Sequence, residues 1–166
     1  GIDYACVACG GPARDRAAQA GELYILDLGP AYRGYFADTC RTLAVDGRPT
    51  DVQLAAWERV VQVFALIERS VRPGVRCREV FSAVQELLDE YLPGSFNHHL
   101  GYGIGLFPHE APHLNPHWDE TFEEGDVFTV EPGLYAPELR VGMRLENDYL
   151  VTPDGVELLS NFPLEL

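Results

Sequence analysis

The sequence predicts an α+β fold in which helices back a curved antiparallel sheet. Three observations predict it: strand-like runs before residue 46, two long amphipathic segments in the middle of the chain, and strand-like runs again after residue 126. The 166 residues are 46% apolar and show no break in composition. We therefore expect one domain that spans residues 1–166.

The first strand-like region, residues 25–45, is predicted to be a hairpin. A turn between Tyr32 and Arg33 would place Asp27 opposite Asp38, with their Cβ atoms ~5 Å apart. Two carboxylates this close repel each other unless a proton or a cation lies between them. The alternative is a solvated hairpin face that carries two unrelated acids.

The middle of the chain predicts two helices. Apolar residues recur at helical spacing over residues 50–72 and again over residues 78–91, and a Pro-Gly pair follows each segment. Because these apolar stripes are continuous, we expect them to form the core rather than a cofactor site.

Two more acids occupy strand-like positions near the C-terminus. Glu131 ends an alternating run that Pro132 terminates, and Glu146 lies beside Arg144 on one face of residues 143–152. A structural salt bridge explains Arg144 and Glu146 equally well. Charges on apolar strands survive only when they are paired or bound to metal, so the four acids together predict a carboxylate site for two ions of Mn, Co, Fe or Zn.

All five histidines fall between His98 and His117. His109 follows a glycine-rich bend that brings it to the mouth of the acid cluster, where an imidazole can donate to an oxyanion or move a proton. His98 is the second candidate. It is expected on the same strand face as Tyr102 and could also substitute as a nitrogen ligand, whereas His99 is expected to face the other way.

The motifs DLG, ADTCR, GYGIGLFPHE, EPG and RLEN occur in this order. The pattern resembles the M24 metallopeptidases, which include Xaa-Pro aminopeptidase, prolidase and methionine aminopeptidase, and the EPGLY and RLEN versions look more like the Xaa-Pro branch. The resemblance implies the pita-bread fold and two divalent metal ions. The resemblance implies that the metal ligands include Asp27, Asp38, Glu131 and Glu146. It also implies that His109 contacts the scissile peptide.

The sequence departs from the family at Tyr102, which stands seven residues before His109, where the family has a ligand histidine. A phenol with a pKa of ~10 must lose its proton before it binds metal, a handicap of ~4 kcal/mol. Three outcomes compete: a lost or weakened metal position, iron bound through the phenolate, or an empty site retained for binding. We expect weakened binding, with the Asp27 position better preserved.

Two further departures concern the start of the chain. Residues 9–21 contain no histidine, although the family tends to carry one there. The family fold also begins ahead of the strand expected at residues 4–10, so the first half looks incomplete. We expect a homodimer, or association with a missing N-terminal segment, to supply the absent layer.

Charge and apolar patterning exclude some partners. The formal net charge of -14, from 26 acidic and 12 basic residues, repels nucleic acid. No run predicts a membrane span or a signal peptide, so no membrane partner and a cytoplasmic location are expected. Cys6 and Cys9 form a CxxC without a second pair, and we expect buried free thiols.

The resemblance implies a metal-dependent aminopeptidase or dipeptidase that acts on small peptides with an Xaa-Pro bias. Glu131 or Glu146 would serve as the base for a bridging water, His109 and His98 are the candidate catalytic histidines, and His109 and Arg144 are the predicted substrate contacts. Two alternatives stay open: a peptide-binding pseudoenzyme, and a metal-free C–N hydrolase of the creatinase kind.

Overall fold

The computed structural model describes residues 15–140 and 142–166. The strand expected at residues 4–10 and the pair Cys6 and Cys9 lie outside these residues. In the described part of the chain, no helix combines the length and apolar character needed to cross a membrane.

A long hairpin, two long helices and a five-stranded sheet follow one another along the chain. The helices are α1 (Asp51–Ser70) and α2 (Cys77–Asp89), and short 3-10 turns occupy Val45–Gly47 and Pro137–Leu139. The strands are β1 (Leu23–Leu28), β2 (Ala31–Tyr32), β3 (Tyr35–Phe36), β4 (Thr39–Ala44), β5 (Gly101–Gly103), β6 (Glu110–Leu114), β7 (Val127–Val130), β8 (Gly133–Leu134), β9 (Met143–Arg144), β10 (Asn147–Thr152) and β11 (Gly155–Leu158).

The five-stranded sheet has the order β11-β10-β7-β5-β6, and every neighbouring pair is antiparallel. Both helices contribute buried apolar side chains to the core that also takes in this sheet, including Val60, Ile67 and Leu88 from the helices and Phe128 and Tyr149 from the strands. The predicted arrangement of helices against an antiparallel sheet is confirmed.

Both helices begin and end within one or two residues of the predicted bounds. Helix α1 starts with a capping box, in which the Thr50 hydroxyl accepts from the Gln53 N–H at 3.3 Å and the Gln53 side chain accepts from the Thr50 N–H at 2.8 Å. The amide of Gln53 also donates to the carbonyls of Gly21 and Leu139. This buried side chain therefore ties the start of the helix to two distant segments.

The first hairpin is present, but the predicted turn position is wrong by one residue. The turn lies at Arg33 and Gly34, which both have positive φ, as a two-residue type I′ connection requires. Asp27 consequently pairs with Cys40 rather than with Asp38. Since the pairing moves by two positions, an even number, Asp27 and Asp38 keep the same face of the hairpin.

The single strand predicted over residues 143–152 is broken in two. Strand β9 pairs with β8, whereas β10 pairs with β7 and β11, and Glu146 lies in the break between β9 and β10. The Glu146 N–H donates to the Cys40 carbonyl of β4 at 2.9 Å. This break joins the large sheet to the first hairpin and carries Glu146 across to Asp27 and Asp38.

Candidate metal centre

Three carboxylates from separate parts of the fold converge on one point. Asp27 of β1, Asp38 from the connection between β3 and β4, and Glu146 each offer a ligand atom, and these atoms lie within 4.8 Å of one another. Their exposure differs widely, because the Asp27 side chain is 41% exposed and Glu146 is only 1% exposed.

The proximity of these acids perturbs their ionisation. Burial, followed by the charges of Glu131, Asp38 and Asp27, raises the pKa of Glu146 to about 10. Burial also raises the pKa of Asp38, although a hydrogen bond from Tyr102 offsets part of the effect. Without a cation, this cluster therefore retains protons well above the pH at which exposed carboxyls lose them.

The donor set fits a bound divalent cation. Among the described residues, Asp38 Oδ1 and Glu146 Oε1 are buried and have no hydrogen-bond partner. A buried carboxylate oxygen without a partner is strongly disfavoured, and a divalent ion supplies both the missing contact and the missing charge. Hard oxygen donors of this kind suit Mn, Co, Fe or Zn.

Glu131 stands next to these three carboxylates and is held by two basic side chains. It follows the last residue of β7, and its N–H donates to the Leu100 carbonyl at 2.7 Å. One carboxylate oxygen lies 2.6 Å from His99 Nε2, and the other lies 3.7 Å from Arg144 Nε. Glu131 is thus connected to the acid cluster through Arg144.

Arg144 lies buried between two of the acids. Its guanidinium forms an ion pair with the Asp27 carboxylate, and Nη1 donates to the Tyr135 hydroxyl at 3.1 Å. The sequence left open a salt bridge between Arg144 and Glu146; the structure shows ion pairs of Arg144 with Asp27 and Glu131. Substrate contact by Arg144 stays a prediction.

Tyr102 directs its hydroxyl into the cluster. The hydroxyl donates to Asp38 Oδ2 at 2.9 Å, and burial together with the charges of Glu146, Glu131 and Asp38 raises the pKa of the phenol far above its usual value. The flanking glycines fix the strand, since a Cβ on Gly101 would lie 2.0 Å from the Thr129 carbonyl oxygen. In the protein without metal, Tyr102 is therefore a neutral hydrogen-bond donor.

His109 lies at the edge of the cluster, stacked on Tyr102. The two ring centroids are 3.7 Å apart and the planes differ by 13°. Burial and the neighbouring His99 lower the pKa of His109, so its imidazole is neutral near pH 7. The catalytic and substrate-contacting roles of His109 stay predictions.

His98 and His99 have the opposite orientations to those expected from the sequence. His98 Nε2 lies 3.2 Å from the Tyr135 hydroxyl, its Nδ1 lies 2.7 Å from the His99 carbonyl, and burial lowers its pKa to about 4. His99, expected to face away, contacts Glu131. Side chains do not alternate as in a strand here, because residues 98–99 precede strand β5 and are not part of it. His99 is the site residue that sequence reasoning missed.

An open cavity of about 420 Å³ adjoins His99 on the side of helix α2. Its lining includes Phe81, His98, His99, His117 and Trp118. The His99 ring thus lies between this cavity and the Glu131 carboxylate.

The described cysteines are Cys40, beside the site, and Cys77, at the start of helix α2. Cys40 and Cys77 are buried free thiols, as predicted, and burial raises the pKa of both. Cys40 Sγ contacts the Arg144 carbonyl at 3.4 Å. A thiol with a raised pKa is protonated and weakly nucleophilic, so Cys40 packs beside the site without acting as a nucleophile.

Comparison with protein families identifies the chain. The model of the metallopeptidase family M24 matches residues 3–153. The chain belongs to family M24. The M24 chain is 36% identical over 157 residues to the Xaa-Pro dipeptidase of Pyrococcus horikoshii and 35% identical over 157 residues to the uncharacterized peptidase YqhT of Bacillus subtilis. Each match covers 94% of this chain and 44% of the relative, so the chain spans less than half the length of these proteins.

Solved structures agree with the M24 assignment. The prolidase from Pyrococcus horikoshii superposes with a TM-score of 0.85 at 35% identity, covering 93% of this chain and 44% of the prolidase. The X-Pro aminopeptidase from Thermotoga maritima gives 0.87 at 31% identity, covering 95% and 45%. The expectation of the pita-bread fold is confirmed.

Proposed function

We propose that this M24 chain is the catalytic region of a metal-dependent peptidase that cleaves an Xaa-Pro bond at the N-terminal end of a small peptide. The observation that carries the proposal is the meeting of three carboxylates within 4.8 Å, one of them fully buried. The names of relatives support the substrate class, since an M24 relative is an Xaa-Pro dipeptidase and a structural neighbour is a prolidase.

Asp27, Asp38, Glu131 and Glu146 would hold two divalent ions of Mn, Co, Zn or Fe. Bound there, the ions would supply a water of lowered pKa and a Lewis acid for the scissile carbonyl. In this proposal the buried Glu131 or Glu146 would accept a proton from the attacking water, because Glu146 belongs to the acid cluster and Glu131 stands next to it.

The histidines and Arg144 would orient the reacting groups and stabilise the charge that develops on the substrate. His109 is neutral near pH 7 and stacks on Tyr102 beside the acids, so it can hydrogen-bond to the scissile peptide and stabilise the oxyanion. The Arg144 ion pair fixes Asp27, which orients this carboxylate before any substrate binds. His98 bonds to Tyr135 and would act at most through that hydroxyl.

Tyr102 would weaken metal binding without preventing it. Its hydroxyl is a donor to Asp38, and it must lose this proton before the oxygen can bind metal. Asp27 makes no contact of this kind with Tyr102, so the metal position at Asp27 is the better preserved of the two in this proposal.

Two expectations from the sequence belong to the same proposal. Residues 1–166 would act as one M24 domain, and the protein would form a homodimer. Sedimentation of the full-length protein measures the oligomeric state, and a monomer at micromolar concentration would contradict the dimer.

The test is elemental analysis combined with hydrolysis of Ala-Pro by the full-length protein. Protein depleted of metal and then supplied with Mn²⁺, Co²⁺, Fe²⁺ or Zn²⁺ should hydrolyse Ala-Pro with at least one ion, and Pro-Ala should be a much poorer substrate. Hydrolysis that persists without metal would instead favour the metal-free hydrolase. Peptide binding without turnover under every metal would favour the pseudoenzyme.

A further inference from the structure

We propose that His99 supplies the nitrogen ligand of the metal centre, in place of an imidazole at position 102. This assignment rests on the proposed metallopeptidase function and adds a residue that the family pattern does not include. It follows from the juxtaposition of His99 Nε2 with the Glu131 carboxylate, next to a tyrosine that occupies the expected histidine position.

The His99 ring is positioned among the groups that surround the acid cluster. Its Nε2 lies 2.6 Å from Glu131 Oε1, and its ring centroid lies 5.4 Å from that of Tyr102 and 5.8 Å from that of His109. The nitrogen that faces the cluster is therefore the one that meets a carboxylate predicted to bind metal.

For His99 and Glu131 to share one ion, the distance between their ligand atoms need change only slightly. Two ligand atoms that share one zinc ion, each about 2.0–2.2 Å from it, lie roughly 3 Å apart. The hydrogen bond between His99 and Glu131 would lengthen from 2.6 Å by on the order of 0.5 Å. The His99 side chain is 33% exposed and borders the cavity of about 420 Å³, so the ring has space for this shift.

The neighbouring aromatic groups are engaged elsewhere. The Tyr102 hydroxyl donates to Asp38, and its ring is held by the stack on His109. Both nitrogens of His98 lie against other groups, one at the Tyr135 hydroxyl and one at the His99 carbonyl. A neutral imidazole binds a divalent ion without the deprotonation that a phenol requires. His99 is the imidazole whose nitrogen already contacts a candidate ligand carboxylate.

The experiment uses Co²⁺ added to the full-length protein, followed by proton NMR and calorimetric titration. A histidine bound to Co²⁺ gives a strongly shifted, solvent-exchangeable N–H resonance. We expect this resonance in the unsubstituted protein and its loss in His99→Gln, with Co²⁺ affinity about 10- to 100-fold weaker. Tyr102→Phe should keep the resonance, because the shifted N–H belongs to His99.

Two matched variants sharpen the assignment. His117→Gln removes an exposed imidazole from the same cavity and should change neither the resonance nor the affinity. The double variant His99→Gln/Tyr102→His returns an imidazole to the expected position and should restore both. If His99→Gln is not folded by circular dichroism, His99→Asn replaces it in the same comparison.

The outcomes separate the ligand assignment from the proposed function. Co²⁺ that binds to the acid cluster without a shifted imidazole resonance, or a resonance and affinity that survive His99→Gln, would overturn the ligand role of His99 and leave the metalloenzyme proposal standing. Absence of Co²⁺ binding by the unsubstituted protein would overturn both.

Discussion

The acids of the first hairpin and the acids of the large sheet differ in their surroundings, although both pairs belong to the same cluster. Asp27 is 41% exposed and is bound by Arg144, so solvent and a cation already stabilise its charge. Glu146 is 1% exposed, and its Oε1 has no partner among the described residues. Asp38 Oδ1, on the hairpin side, is buried and without a partner in the same way. The need for a metal ion is therefore concentrated on Asp38 and Glu146 rather than on Asp27.

The largest effect is expected from Glu146→Gln. An amide keeps the shape of the side chain but removes the buried charge that a divalent ion would neutralise, so metal affinity and Xaa-Pro hydrolysis should fall by at least about 100-fold. The metal-free protein should become more stable at pH 8 by about 1–3 kcal/mol, because an amide is easier to bury than a carboxylate.

Metal titration, peptidase kinetics and thermal unfolding of Glu146→Gln measure these changes. Glu157→Gln, which changes an exposed acid on β11, is the matched control and should have no effect. Unchanged metal affinity in Glu146→Gln would remove the buried side from the site.

The next effect concerns Tyr102→His. An imidazole at this position adds a neutral nitrogen donor and removes the hydroxyl that donates to Asp38, so metal affinity and peptidase rate should rise together, by about 10- to 100-fold. Parallel titrations and kinetics on the unsubstituted protein, Tyr102→His and Tyr102→Phe check this. If Tyr102→His binds no more metal and hydrolyses no faster, the tyrosine does not limit this protein.

A smaller effect is expected from Asp27→Asn on the exposed side. The amide oxygen can still bind a metal ion, and solvent compensates for the lost charge, so affinity should fall by about 10-fold. Isothermal titration of Asp27→Asn and Glu146→Gln with Mn²⁺ compares the two losses of metal affinity directly. A loss in Asp27→Asn equal to or greater than that in Glu146→Gln would reverse the proposed difference between the two sides.

The smallest effect is a change of stability with pH in the metal-free protein. The pKa of Glu146 is raised from 4.5 to about 10 by folding, so the folded state binds a proton that the unfolded state releases, and stability should fall as pH rises through this window. Asp148, whose pKa burial raises to about 6, adds a decline between about pH 4 and 6.

Thermal unfolding at several pH values, with and without Mn²⁺, measures this dependence. Glu146→Gln should flatten the decline above pH 6, and stabilisation by Mn²⁺ should grow with pH because the ion replaces a proton. A melting temperature that rises from pH 6 to 9 in the metal-free protein would contradict the assigned ionisation.

The sequence predicted the elements whose cause is local. Helix α1 follows from its apolar spacing and from the Pro-Gly pair after it, and its predicted bounds are off by one or two residues. The four acids were identifiable because charges on apolar strands need a partner. The order of the five motifs, which resembles that of the M24 family, joined these acids into one predicted site.

The features that the sequence could not predict depend on tertiary structure. The observed turn lies at Arg33 and Gly34, one residue from the predicted turn. It requires a positive φ at Arg33, which residue type alone does not favour. The break at Glu146 arises from its pairing with Cys40, more than 100 positions earlier in the chain. The orientation of His99 follows from irregular backbone ahead of β5, where strand alternation gives no guide.

The most direct test of the metal centre is anomalous diffraction from crystals of the full-length protein grown with Mn²⁺. We predict a peak within about 2.0–2.4 Å of carboxylate oxygens of Asp38 and Glu146, with Glu131 and His99 Nε2 completing the buried side. Mn²⁺ peaks confined to surface acids such as Asp119, with none among these residues, would contradict it.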